Sequence, residues 1–457
     1  MADRLLLVPG VRRMRPDDHF MVLSETDASP MHVGALLILE VPESDKPCIA
    51  EAFRRQLSER LPGTPLLAKL VEAPDGYDSD VWVDIAAADL ETHVVREETT
   101  FADDTALHAV VAERNMERLD LSRPPFQAHV YDRLPGNRAA VYLKMHHSVA
   151  DGIGFQEILR RLSDEVAPCD IRNGDAVLPG GDEWKAMAER RFAEEEKVRA
   201  AQASKRREVI ERIKALPPSR AATPEFGLSG PTSDRRRYTT ISLSVDAFNS
   251  VAKAHDATVN DLFLACAGGA LRRYLADIGD LPEAPLVINS ARSYRHPEHG
   301  PFGNRIVALH PHIATHLAEP LERLRAVQES MAVELGRTDL DEALLDAWEK
   351  PFGARDRRSA FADRLAGGTR VLPGNLTLSN VPGPATERSF AGYRQLHNFP
   401  VPIIGSGRFL NITSRRSGAN LDMGVIADAG KVADVEPIAA YFRDAVDEYR
   451  RLAHSSD

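Results

Sequence analysis

One junction constrains this chain more than any other. An alternating stretch, Ala139-Ala140-Val141-Tyr142-Leu143-Lys144-Met145, runs into His146-His147-Ser148-Val149-Ala150-Asp151-Gly152. Beyond it Phe155, Ile158, Leu159 and Leu162 recur at i, i+3, i+4 and i+7, the spacing of one helix face. A strand therefore ends at the histidines, and the Asp-Gly pair leads into a helix. If the pleat persists, His147 shares the face of Val141, Leu143 and Met145, and His146 that of Tyr142 and Lys144. A neutral imidazole among apolar neighbours with a carboxylate nearby is a candidate general base near neutral pH. Two other readings stay open: a satisfied core histidine, and a metal pair formed by His147 and Asp151. The metal reading needs a helix beneath both residues, whereas His147 ends a strand. No His-Glu-x-x-His or Cys-x-x-Cys supports it.

The chain has 457 residues, 43% of them hydrophobic, enough for two or three domains with a large core. Its formal charge of -11 argues against generic nucleic-acid binding. An anionic cofactor would need a local basic patch; Arg235-Arg236-Arg237 is one, though a solvated basic turn is the plainer reading. Cys48, Cys169 and Cys266 are widely spaced and odd in number, which points to a reduced, cytoplasmic protein. Leu5-Leu6-Leu7-Val8 is too short for a signal segment, and no stretch reaches membrane-spanning length, so membrane contact is expected to be peripheral.

Along the chain, Met31 to Val41 reads as a buried strand. Ile49, Phe53, Leu57 and Leu61 mark one helix, and Asp103 to Leu119 another. Near residue 175 the character changes. Residues 184–216 are rich in Glu, Lys, Arg and Ala, reading as a mostly exposed helix stopped by Pro217-Pro218. A strand follows at Tyr238 to Val245, then a helix from Thr258 to about Ile278, opened by the capping-box pattern Thr258-Val259-Asn260-Asp261. Further helices are expected near 319–336 and 436–453, and a strand in Asn375 to Pro384 that ends in a Pro-Gly turn. The division is an N-terminal lobe, 1–175, a helical linker, 176–232, and a C-terminal lobe, 233–457.

Four stretches, in this order, resemble the bacterial wax ester synthase/diacylglycerol acyltransferase family. They are Pro30-Met31-His32-Val33-Gly34 within Ser24–Gly34, His146-His-x-x-x-Asp-Gly152, Asn260-Asp261, and Asn380-Val381-Pro382-Gly383-Pro384. The histidine pattern alone is shared with other acyltransferases and with peptide-synthetase condensation domains; the four together are more specific. The resemblance implies an α/β (α+β) fold of two chloramphenicol-acetyltransferase-like subdomains, each a mixed sheet with helices, and an active-site tunnel between them. It implies transfer of a fatty acyl group from the co-substrate acyl-coenzyme A to a long-chain alcohol or diacylglycerol. It also implies a peripheral membrane or lipid-inclusion surface as partner, with no bound cofactor or metal. Acylation of another alcohol or amine, and a non-catalytic lipid-binding scaffold, are the alternatives.

The resemblance carries roles to particular residues. His147 is the expected base, beside His146, Asp151 and Gly152. Asp151 is expected to pair with an arginine that holds the loop, with Arg292 the candidate by position. Gly152 is expected to allow a tight path beside substrate. Asn260 is expected near the acceptor or the oxyanion, while Asp261 reads as the capping acid. Thr377 and Ser379 are candidate oxyanion donors; Asn380, Pro382, Gly383 and Pro384 are expected to shape the tunnel wall. The family commonly has Pro-Leu-Trp ahead of the histidines, where this chain has Pro124-Pro125-Phe126. Pro125 and Phe126 are thus either tunnel lining or, for Phe126, simple core.

Overall fold

The computed structural model describes residues 6–43, 48–74, 78–169, 171, 174–201, 203–215, 222–347 and 373–454. Two six-stranded mixed sheets dominate it. The first has the order Ser389–Phe390, Tyr393–Val401, His32–Glu40, Arg138–His146, Phe126–Leu134 and Val94–Arg96. Only its last pair is parallel. The strand His32–Glu40 is central and nearly all buried, because its run of Val, Ala, Leu and Ile faces packed layers on both sides. The second sheet has the order Ile306–Leu309, Ile288–Ser293, Leu376–Val381, Leu410–Ser417, Asn420–Asp428 and Arg236–Ser244. Leu376–Val381 lies in it between two parallel partners.

One strand pairs across the division expected from composition, 1–175 and 233–457. Strand Tyr393–Val401 comes from the C-terminal part yet pairs with His32–Glu40, and Ser389–Phe390 pairs in turn with Tyr393 and Arg394 at the edge of the first sheet. Edge pairing satisfies a strand's backbone wherever the free edge lies, and nothing in composition reveals which sheet supplies it. The two sheets then share a core: Leu36, Ile38 and Tyr142 pack with Tyr238, Phe399, Val401 and Ile426. Gly424 belongs to this seam, since a Cβ there would lie 1.7 Å from the Pro400 carbonyl oxygen.

Most expected elements are present: helices Ile49–Arg60, Asp104–Met116, Val259–Asp277, Pro320–Ala347 and Glu436–His454. The charged linker forms helices Gly181–Ala201 and Ala203–Ala215. Its start is not solvated, however. Trp184 is buried beside a separate four-stranded sheet that includes Leu6–Val8, Val11–Arg13 and Val81–Asp84, and its Nε1 donates to Asp78 at 3.1 Å. Among the described residues, no helix is long and apolar enough to cross a membrane.

Candidate active site

The histidine strand ends at His146, and His147 already stands in the following turn. That turn separates the two rings. His146 stays on the face of Tyr142 and Lys144 and is fully buried. Its Nδ1 lies 2.6 Å from Ser148 Oγ and its Nε2 3.7 Å from Glu25 Oε1. Burial pushes its pKa down to about 3, helped by His147 and Arg118, so the ring is neutral. In this structure the His146 ring, expected to share the chemistry, is enclosed.

His147 is partly exposed. Its Nδ1 is shut off from solvent without a hydrogen-bond partner among the described residues, and no hydrogen bond engages Nε2, leaving Nε2 the ring nitrogen open to the site. Burial lowers its pKa below 6.5; its own main chain, the Asp151 charge and the Asn304 amide push the other way. Its backbone is held at both ends. The His147 N–H donates to the Met31 carbonyl at 2.8 Å, and the His147 carbonyl accepts from Asn304 Nδ2 at 2.7 Å. Met31 N–H in turn donates to Glu25 Oε1 at 3.0 Å. The Ser24–Gly34 motif is therefore a floor beneath the histidine turn.

Asp151 caps helix Gly152–Leu162: Oδ1 accepts from Gly154 N–H at 2.9 Å. Its Oδ2 accepts from Arg305 N–H at 2.9 Å and from Arg295 Nη2 at 2.8 Å. The arginine partner is thus Arg295, not Arg292. Arg292 ends on the strand Ile288–Ser293 and bonds Thr338 and Asp339 near the surface. Arg295 lies past the end of that strand, where the chain turns toward the other lobe. It also donates to the carbonyls of Gly300, Phe302 and Gly303, which shapes the returning loop. Ala150 pairs with Gly303, so that loop joins the end of the histidine turn.

Gly152 meets the other lobe. A Cβ there would lie 3.0 Å from Val381 Cγ2. Gly383 is tighter still, with a Cβ 1.9 Å from the Arg416 carbonyl oxygen. Pro384 accepts from Gly418 N–H at 3.0 Å, and Asn380 Oδ1 accepts from Ser414 Oγ at 3.0 Å. Thr377, Ser379 and Asn380 are half-buried on Leu376–Val381, and Pro382 continues into the turn. Asp261 forms the capping box with Thr258, at 3.0 and 3.1 Å. The side chain of Asn260, half-buried in the same first turn, makes no hydrogen bond among the described residues and is not joined to His147 by one. Phe126 is core: fully buried and stacked on His93 at 4.8 Å. Pro125 offers its carbonyl to His146 N–H at 2.9 Å.

Sequence reasoning missed Arg295, Asp18, Glu25 and the role of Asn304. Asp18 is buried below the returning loop and accepts from Asn304 N–H at 2.6 Å and Nδ2 at 2.9 Å. Burial raises its pKa to about 7 against the lowering effect of those bonds. The signal in the sequence was the pair Gly303-Asn304 itself, because Gly303 has φ +76 and a Cβ would crowd Asp18 at 3.2 Å. Among the described residues, no group of three or more His, Cys, Asp or Glu is placed to hold a metal. A concavity of about 830 Å³ lies elsewhere, between helices Val259–Asp277 and Glu436–His454, and does not include His147.

Residues 14–263 match the wax ester synthase/diacylglycerol acyltransferase catalytic domain, and residues 302–450 match the C-terminal domain of the same family. A Mycobacterium tuberculosis protein, provisionally named a diacylglycerol O-acyltransferase, is 27% identical over 96% of this chain and 97% of its own length. A wax ester synthase/diacylglycerol acyltransferase from Marinobacter aquaeolei superposes with a TM-score of 0.67 at 22% identity, covering 97% of this chain and 100% of that one. The starter condensation domain of rhizomide synthetase, solved with C8-CoA and Leu-SNAC, superposes at 0.58 with 16% identity, covering 98% and 95%. At these identities the two structures show the shared fold alone.

Proposed function

This chain belongs to the wax ester synthase/diacylglycerol acyltransferase family and is an acyltransferase, and on that premise we propose its substrates and its base. It moves a long-chain fatty acyl group from acyl-coenzyme A to the hydroxyl of diacylglycerol or of a long-chain alcohol. The observation that carries this reading is His147: a ring on a doubly anchored turn, with Nε2 open and its pKa lowered by burial.

His147 Nε2 accepts the proton of the acceptor hydroxyl as the oxygen attacks the thioester carbonyl. A tetrahedral oxyanion forms. Its collapse breaks the C–S bond, and the imidazolium returns the proton to the departing thiolate. No protein nucleophile is needed, because a thioester is already activated. Asp151 with Arg295 fixes the loop and takes no proton. Thr377, Ser379 and Asn260 are the polar side chains available on the C-terminal side of the seam for the oxyanion or acceptor. Lipid substrates place the reaction at a membrane or lipid-inclusion surface reached peripherally from the cytoplasm.

The test is coenzyme A release from palmitoyl-coenzyme A with hexadecanol, a diacylglycerol or no acceptor. Wild type should release it in an acceptor-dependent way, and His147→Ala should fall at least about a hundredfold. Equal rates in the variant would remove His147 as base; release with neither lipid would redirect the acceptor to another alcohol or amine.

A further inference from the structure

The concavity between helices Val259–Asp277 and Glu436–His454 has no part in the chemistry proposed above, and its charges do not balance. Five arginines and three carboxylates line it, in a chain whose net charge is -11. Two of the arginines are neutralised on the wall itself: Arg273 pairs with Asp444 at 2.8 Å, and Arg450 pairs with Asp447. Arg272 and Arg323 bond carbonyls instead, and neither makes an ion pair among the described residues. Glu448, the remaining acid of the wall, is not paired with either.

A single turn holds both. Arg272 Nη1 donates to the carbonyls of Thr315 at 2.9 Å and His316 at 3.1 Å. Arg323 Nε donates to the Leu317 carbonyl at 3.3 Å, and its Nη2 to that of Ala318 at 2.7 Å. Successive carbonyls thus gather two like charges side by side. Arg323 is 3% exposed, and a cation so buried calls for a counter-charge. It also lies near the N-terminus of helix Pro320–Ala347, the end whose dipole disfavours a cation. Its Nη1 is closed off from solvent and makes no hydrogen bond among the described residues. The neighbouring Tyr449 hydroxyl is kept neutral by burial and donates to the Pro320 carbonyl at 2.7 Å. Gly269 lines the concavity, and a Cβ there would lie 2.7 Å from Arg323 Nη1, so the guanidinium sits directly beneath that glycine. Arg272 is half-buried, and its Nε and Nη2 make no hydrogen bond among the described residues.

We propose that this concavity is a binding site for a phosphate group, carried by a soluble phosphate compound or by a phospholipid headgroup. Arg272 supplies the donors that the anion meets, and Arg323 supplies a buried charge beneath it. A guanidinium matches phosphate geometry and keeps its charge when desolvated. A volume of about 830 Å³ admits a ligand larger than the phosphate itself. The site is separate from acyl transfer, because Arg272 stands about 18 Å along its helix from Asn260. It therefore does not rest on His147 as base.

Two binding assays on the full chain test it, neither dependent on turnover. One is calorimetric titration with inorganic pyrophosphate, against chloride at matched ionic strength. The other is flotation with phosphatidylcholine vesicles, with and without phosphatidic acid. Saturable binding is expected in at least one arm. Arg272→Gln should weaken it at least about tenfold, the size of one lost charge-assisted hydrogen bond. Arg323→Gln should weaken it too, through the lost charge. Arg443→Gln removes the same charge from helix Glu436–His454 outside the concavity, where Arg443 donates to the Thr240 carbonyl, and should bind as wild type does. Pyrophosphate binding would identify a soluble phosphate as sufficient; binding to phosphatidic acid vesicles alone would identify a headgroup. Binding in neither arm, no loss in Arg272→Gln, or an equal loss in Arg443→Gln would overturn the proposal. If the buried Arg323→Gln does not fold, Arg272→Gln against Arg443→Gln decides.

Discussion

Replacing Arg295 with alanine strips one partner from a buried ion pair. Arg295 is 9% exposed in its side chain and Asp151 2%. Removal of one member of such a pair costs about 3–5 kcal/mol, because the remaining charge stays desolvated. Asp151 would keep the N–H groups of Gly154 and Arg305, which pulls the expected cost toward the lower end. Against that, the carbonyls of Gly300, Phe302 and Gly303 lose a shared donor. We therefore expect Arg295→Ala to lose about 3–4 kcal/mol in urea melts, read from the midpoint at constant slope. Arg292→Ala should lose less than about 1 kcal/mol, since its pair with Asp339 is largely solvated. Arg295→Lys keeps the charge but not the planar fork that spans the Asp151 oxygen and the loop carbonyls, so it should rescue only part of the loss. A loss below about 1 kcal/mol for Arg295→Ala, or an equal loss for Arg292→Ala, would refute the argument.

The acid limb of kcat/KM should lie below pH 6.5, because burial lowers the His147 pKa and the neutral base then persists to more acidic pH; a limb at or above 6.5 would contradict it. Gly383→Ala should be the costlier of two glycine changes, at or beyond about 3 kcal/mol, because its methyl meets a strand carbonyl that cannot yield. Gly152→Ala meets only the Val381 side chain, so it should cost about 1–3 kcal/mol and be relieved by adding Val381→Ala. Thermal melts of the three variants check the order and the rescue.

Local pattern was enough for the parts of this protein whose cause is local. Alternation told the histidine strand, and apolar spacing told the helix after it, because pleat and helical turn repeat within a few residues. Thr258 and Asp261 cap their helix through bonds that span three residues, so their pattern was legible in the chain itself. The four motifs likewise marked the family. Arg292 and Arg295 differ by three positions in a strand end, and only the turn of the backbone toward the other lobe decided which reached Asp151. His146 and His147 are neighbours in sequence, yet the strand stops between them, leaving one ring enclosed and the other open. Asp18 and Glu25 come from near the start of the chain and Asn304 from far along it: the bond from Asn304 to the histidine turn spans 157 residues, and that from Asn304 to Asp18 spans 286. So the sequence determined which elements form and which residue types are present to react. The tertiary structure decided which of them meet, because hydrogen-bond partners over that range are set by how two sheets pack and not by any repeat along the chain.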